Sequence, residues 1–142
     1  MLRAEDIRRG VERLLAARGE VCLAEFPIAN GRRLDLLALA PSGRFTAVEI
    51  KSSLADLRAD GKWQEYLPFA DCFCFAVAPG FPLEHLPESE GIVVADRFEA
   101  AILREPRLRP LAPARRRALL LQFAHIAARR LARLAEQLES TL

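Results

Sequence analysis

Arg32-Arg33-Leu34-Asp35-Leu36-Leu37-Ala38-Leu39-Ala40-Pro41-Ser42-Gly43-Arg44-Phe45-Thr46-Ala47-Val48-Glu49-Ile50-Lys51 reads as two apolar strands joined by a Pro-Ser-Gly turn. A hairpin this apolar belongs inside a protein, yet Asp35, Glu49 and Lys51 stand where a buried hairpin should carry no charge. If Pro41-Ser42-Gly43 is a three-residue loop with Gly43 left-handed, Ala40 pairs with Arg44 and facing residue numbers sum to 84. Asp35 then lies across from Glu49. Lys51 follows Glu49 by two residues and projects from the same face, with cross-strand Cβ atoms roughly 5 Å apart. The pattern brings two carboxylates and an ammonium to one point.

Two carboxylates at contact distance repel, so one takes up a proton or a cation sits between them. Magnesium suits such a gap, because it prefers hard oxygen ligands and keeps waters that a phosphate can replace. A neighbouring lysine can orient an attacking water or steady charge that develops on a phosphoryl group. The structural alternative is a Lys51–Glu49 or Lys51–Asp35 ion pair that fills the sheet face, although buried pairs seldom add net stability.

Asp35 followed by Glu49-Ile50-Lys51 at the end of the next strand resembles the PD-(D/E)XK nuclease superfamily signature. The longer run Gly31-Arg32-Arg33-Leu34-Asp35, Val48-Glu49-Ile50-Lys51-Ser52-Ser53 and Asp60-Gly61-Lys62-Trp63-Gln64-Glu65-Tyr66 is similar to the MmcB family of bacterial DNA-repair proteins. The likeness continues through Phe75-Ala76-Val77, Val93 to Asp96 and the Ala114 to Arg117 segment, so it spans most of the chain. Leu34 departs from the pattern, which has proline before the aspartate; its side chain should face away from that of Asp35.

The resemblance implies a restriction-endonuclease-like α/β core, α-β-β-β-α-β, with a C-terminal hairpin and a long C-terminal helix. It implies a metal-dependent nuclease acting on DNA in repair: Asp35 and Glu49 hold Mg²⁺, or Mn²⁺ in its place, the Ile50 carbonyl completes the shell, and Lys51 assists the reaction. Lys62, and with it Gln64, would reach the site from the helix after the hairpin. Arg32, Arg33 and Ser52 are expected to join Lys62 in contacting DNA. The superfamily usually places a further acid on the first helix, which sets Glu12 or Glu5 against Glu25 as the extra ligand. A DNA-structure-binding or scaffold protein that kept the fold without catalysis is the alternative, and the complete acid-acid-lysine set favours the enzyme.

The bounds agree with one domain over residues 1–142: a core of about 3–104, then a basic segment and helix over about 105–140. A chain 51% hydrophobic and 28% charged has an ordinary globular balance. No run approaches the roughly 18 to 20 apolar residues of a membrane span, and no signal-peptide core opens the sequence, so a cytoplasmic location and no membrane partner are expected. Cys22, Cys72 and Cys74 are odd in number and lack a second ligand pair, so they read as reduced core thiols. Net charge is +2, too small for a general polycation. Of 21 basic residues only Lys51 and Lys62 are lysines, and both fall near the proposed site.

In chain order, Ile7, Val11, Leu14 and Leu15 mark an amphipathic helix over Arg3 to Arg18. Val21 to Phe26 is a strand, turned at Asn30-Gly31. A two-residue turn there would pair Glu25 with Leu36, whereas a longer loop would pair it with Asp35. After the hairpin, Ser52 or Ser53 caps a helix that runs to Pro68, with Lys62 and Tyr66 on one face and Trp63 as a core anchor. Asp71 to Ala78, Gly91 to Ala95 and Ala100 to Leu103 are further strands.

From Arg104 onward, Arg104, Arg107, Arg109, Arg115, Arg116 and Arg117 gather with Glu105 as the only acid among them. Pro113 opens a helix that runs to about Ser140. Arginines at its start oppose the helix dipole, which points to Arg115, Arg116 and Arg117 as phosphate contacts. Its stripe of Leu119, Leu120, Phe123, Ile126, Ala127, Leu131, Leu134 and Leu138 needs cover, from the core or from a second copy in a homodimer.

Overall fold

Gly43 takes φ 91°, and the Ala40 N–H donates to the Arg44 carbonyl at 2.9 Å, in a computed structural model that describes residues 2–142. The loop therefore has the expected three residues. β2 (Arg33–Leu39) and β3 (Phe45–Lys51) pair antiparallel as Leu36 with Val48, Leu37 with Ala47, Ala38 with Thr46 and Leu39 with Phe45. Each pair sums to 84, as the turn chemistry requires.

The Asn30-Gly31 turn resolves the question left open for Glu25. Gly31 has φ 86°, the Ile28 N–H donates to the Arg32 carbonyl at 2.9 Å, and three residues lie between them. β1 (Val21–Pro27) accordingly pairs with β2 as Ala24 with Leu36 and Phe26 with Leu34. Glu25 falls opposite Asp35. It is the only non-glycine residue with positive φ, 48°, among the described residues, a backbone region that is uncommon outside glycine.

Six strands lie in sequence order in one sheet, completed by β4 (Cys72–Val77), β5 (Gly91–Ala95) and β6 (Ala100–Arg104). β1, β2 and β3 are antiparallel, β3, β4 and β5 parallel, and β6 returns antiparallel on β5. This is the α/β arrangement expected. Parallel neighbours need a crossover, and the one from β3 to β4 carries the segment that lines the site. α1 (Ala4–Ala17) covers one face through Ile7, Val11 and Leu15, which cluster with Leu36, Ala38, Val48, Ile50, Cys74 and Ala76. The helical period of α1 thus meets the even-numbered residues of β2, β3 and β4, and Val93 and Ala95 of β5.

The other face is aromatic. Phe73 and Phe75 meet edge to face at 5.1 Å, Trp63 lies 5.7 and 5.5 Å from them, and Tyr66 stacks on Phe73 at 6.2 Å. Trp63 packs on β4 through these contacts but is half-buried, so it caps the aromatic cluster instead of anchoring the core as expected. The single helix expected from Ser53 to Pro68 is not formed. α2 (Leu54–Ala59) ends at Asp60, and a 3-10 turn spans Trp63–Phe69 with Pro68 inside it. Gly61 and the Asp-Gly turn tendency break the helix, so Lys62 and Tyr66 do not share a helical face. The cap is as expected, with Ser53 Oγ accepting from the Asp56 N–H at 3.1 Å.

Cys22, Cys72 and Cys74 are free thiols, and the last two are buried. Burial pushes the Cys74 thiol up to about 12, so it is an inert core group. Two members of the basic segment are also structural. Arg109 makes a bidentate pair with buried Glu90 at 2.9 and 2.6 Å, and Arg104 donates to the carbonyls of Glu90 and Pro87 at 2.7 and 2.6 Å. These two do not belong to a free basic patch.

The chain forms two compact units, one reaching Pro110 and the other Leu111–Leu142. The second is dominated by α3 (Pro113–Ser140), with proline at its start and no acid in its first turn. Leu119, Phe123 and Ile126 are buried, whereas Leu120, Leu131, Leu134 and Leu138 are exposed, so the broad stripe divides into a covered part and an open one. No helix among the described residues is long and apolar enough to cross a membrane.

The approach of α1 to the β5–β6 turn yields a sharp test. A Cβ on Gly10 would stand 1.9 Å from the Asp96 carbonyl oxygen, whereas one on Gly61 meets nothing within 4 Å. Gly10→Ala is expected to lose about 3 kcal/mol or more, and Gly61→Ala to change stability by less than about 1 kcal/mol. Urea denaturation midpoints of the two variants check this.

Candidate functional site

At the end of the hairpin the backbone ladder gives way to side chains. The Asp35 N–H donates to Glu49 Oε1 at 3.0 Å, and the Ile50 N–H donates to Asp35 Oδ2 at 2.8 Å. Each carboxylate therefore accepts an amide hydrogen from the opposite strand, which fixes both side chains. Glu49 and Lys51 are buried and Asp35 half-buried. The three occupy the positions that the sum of 84 assigns them.

They line a cavity of about 660 Å³ together with Glu25 and Arg32. Ala4, Glu5 and Arg8 of α1 contribute to its wall, as do Asp56, Ala59, Asp60 and Tyr66 from the crossover. Glu5 and Glu25 thus both reach the cavity. Glu12 does not; it pairs with Arg8 at 3.6 Å one turn back along α1.

Lys51 pairs with neither of the two acids that the structural alternative offered it. Its Nζ meets Asp60 Oδ2 at 2.8 Å, while Asp60 Oδ1 accepts the Lys62 N–H at 3.2 Å. Burial would raise the Asp60 carboxyl, but the hydrogen bond and charge of Lys51 outweigh it and hold it below its ordinary value. The same bond keeps the Lys51 ammonium charged against the cost of burial.

The Lys51 ammonium, bonded to Asp60, acts on the carboxylate pair only through its charge and not as a direct partner. Burial, then repulsion by Asp35, pushes Glu49 up to about 8. Burial also raises Asp35, although the Ile50 amide and the charge of Lys51 pull it back. A group of three or more acids, histidines or cysteines arranged as a metal cage is absent among the described residues. Of the acids that line the cavity, Asp35 and Glu49 are the pair held by amides of facing strands, with Glu5, Glu25, Asp56 and Asp60 around them. That pair, with the Ile50 carbonyl, fits Mg²⁺, which takes one or two carboxylates and keeps waters, better than a metal needing a full protein cage.

The remaining expected contacts are dispersed. Arg32 lines the cavity, pairs with Glu65 and stacks 5.6 Å over the Tyr66 ring. Arg33, Lys62 and Gln64 are exposed and do not line it. Lys62 begins the 3-10 turn, and the helix break removes the geometry that would have aimed it at the site. Ser52 is exposed and bonds Asp56 Oδ2 through its N–H at 3.1 Å. Arg115, Arg116 and Arg117 lie in the first turns of α3.

As site residues, Asp56, Asp60 and Tyr66 escaped the sequence reading, although Asp60 and Tyr66 stand in the stretch that carries the family resemblance. A continuous helix over residues 53–67 hides Asp60, whereas treating Asp60-Gly61 as a turn signal would have let its carboxylate fold back over β3.

A family model described as DNA repair protein MmcB-like matches residues 2–138. The chain belongs to this family, which supports a role in DNA repair. A solved structure described as the SPO1766 protein of unknown function from Silicibacter pomeroyi is similar to it, with 44% identity and a TM-score of 0.91. The match covers 95% of this chain and 92% of that one. No curated protein matches the chain.

The raised Glu49 has a consequence for stability. Its folded value of about 8 lies above its ordinary 4.5, so the folded state holds this proton more tightly than the unfolded chain does. Stability from this group is full below 4.5 and declines as pH rises toward about 8. Metal-free protein is expected to lose on the order of 2 to 4 kcal/mol across that window, and Glu49→Gln to flatten the decline. Chemical denaturation at several pH values in the presence of a chelator checks the slope.

Proposed function

We propose that this protein is a metal-dependent nuclease that hydrolyses DNA phosphodiester bonds, and that it belongs to the PD-(D/E)XK superfamily. The observation that carries the proposal is the Asp35–Glu49 pair, held by amide bonds from opposite strands in a cavity, with the neighbouring Lys51 ammonium bonded to Asp60 and not to either acid. Two ionised carboxylates are costly there, and a divalent cation removes that cost.

Asp35 and Glu49 would hold Mg²⁺ or Mn²⁺ with the Ile50 carbonyl, and Glu25, opposite Asp35, is the nearest candidate in register for a further carboxylate. When bound, such an ion supplies a water of lowered pKa and polarises the scissile phosphate. Lys51 presents a compact ammonium to charge developing on the phosphoryl oxygens. Arg32, on the cavity wall, can grip a non-bridging phosphate oxygen with its guanidinium. Binding of DNA without cleavage is the second reading, favoured by the engagement of Lys51 with Asp60. A homodimer through α3 would cover Leu131, Leu134 and Leu138, and light scattering reads that state directly.

Incubation of labelled duplex, flap, junction and single-stranded DNA with Mg²⁺ or Mn²⁺ separates the two readings. Asp35→Asn is expected to abolish metal-dependent cleavage and leave the fold intact, because the amide fills the same volume. Mn²⁺ at a hundred times its dissociation constant is expected to stabilise the parent by about 2.7 kcal/mol and the variant not at all. A parent that shows neither cleavage nor a metal-dependent melting shift overturns the enzyme reading.

DNA contact is tested separately. Arg115, Arg116 and Arg117 are proposed to touch phosphates, so each residue replaced by alanine should reduce the slope of log affinity against log salt by about 0.7 to 0.9. Anisotropy titrations of labelled DNA at several salt concentrations measure that slope, and an unchanged value assigns the cluster a structural role.

A further inference from the structure

Lys51 is buried at the end of β3, two residues beyond Glu49 and on the same side of the strand. A flexible four-carbon stem lets its ammonium swing, and a buried ammonium beside two buried carboxylates is strongly attracted to them. Yet among the described residues Asp60 is the one carboxylate within ion-pair distance of it, at 2.8 Å. Asp60 can make this bond because α2 stops there, and the Lys62 N–H, 3.2 Å from Oδ1, fixes the other carboxylate oxygen. Asp56, the next nearest acid of the crossover, has Oδ2 bound by the Ser52 N–H and Oγ.

We propose that Asp60 is a positioning residue that holds the Lys51 ammonium aside, so that the Asp35–Glu49 pair stays open to a divalent cation. The inference rests on the metal-binding reading of that pair. An unpartnered ammonium cannot remain buried, so with Asp60 removed it turns to the carboxylates and becomes their internal counter-ion. Asp60 therefore acts on metal affinity through Lys51 and touches neither the cation nor the substrate.

The test is a double-mutant cycle read by Mn²⁺ alone, with calorimetric titration and melting shift on protein freed of metal. Asp60→Asn is expected to weaken Mn²⁺ binding by about 10- to 100-fold. Lys51→Met is expected to bind Mn²⁺ at least as well as the parent, and Asp60→Asn made in that background to have no effect, because no ammonium is left to restrain. Equal Mn²⁺ affinity in the parent and Asp60→Asn overturns the proposal and leaves the metal-binding reading standing. A comparable loss when Asp60→Asn is made in the Lys51→Met background also overturns it, by showing a direct or purely structural role; this comparison serves even if Asp60→Asn alone does not fold. A parent that binds no Mn²⁺ overturns both readings together.

Discussion

Two backbone amides, those of Asp35 and Ile50, are bonded to carboxylates from the opposite strand, and the candidate site depends on this exchange. An amide hydrogen bond to a carboxylate is charge-assisted and directional, so the hairpin end is held closed while its acids are held in place. The arrangement works only in one register. A slip by a single residue would set Asp35 across from Val48 or Ile50 and leave Glu49 on the other face of the sheet. Two glycines in left-handed loops, Gly31 and Gly43, set that register on either side of β2.

The crossover between β3 and β4 decides what the acids meet. Its aromatic side chains, Trp63 and Tyr66, pack on Phe73 and Phe75, and this leaves the preceding Asp60-Gly61-Lys62 turn beside the end of β3. Asp60 is thereby brought to Lys51, and Arg32 comes to lie over Tyr66. Packing of the apolar face and composition of the polar cavity are thus one event. Burial raises both Asp35 and Glu49, and the amides of Ile50 and Asp35 together with the charge of Lys51 offset that only in part.

Charge along the sequence divides differently once the chain is folded. Arg104 and Arg109, which read as parts of one basic run, are held by Glu90 and by carbonyls of the same unit. Their role is to close a loop over a buried glutamate. Arg32 retains a wall position in the cavity, and Arg115 to Arg117 remain together at the start of α3. Membership of the MmcB-like DNA repair family supports a role in DNA repair for the chain.

The sequence by itself determined the α/β class, the hairpin register and the placement of Asp35, Glu49 and Lys51 on one side of it. These follow from local chemistry: a glycine that alone tolerates the left-handed loop position, and side chains that alternate every residue. The start of α3 at Pro113 was legible for the same reason. Tertiary structure alone decided the length of the Asn30-Gly31 loop, and with it the position of Glu25 across from Asp35. It also decided the helix break at Gly61, the exposure of Lys62 and the pairing of Lys51 with Asp60. Those outcomes turn on long-range packing of Trp63 and Tyr66 against β4, an energy that no window of neighbouring residues contains.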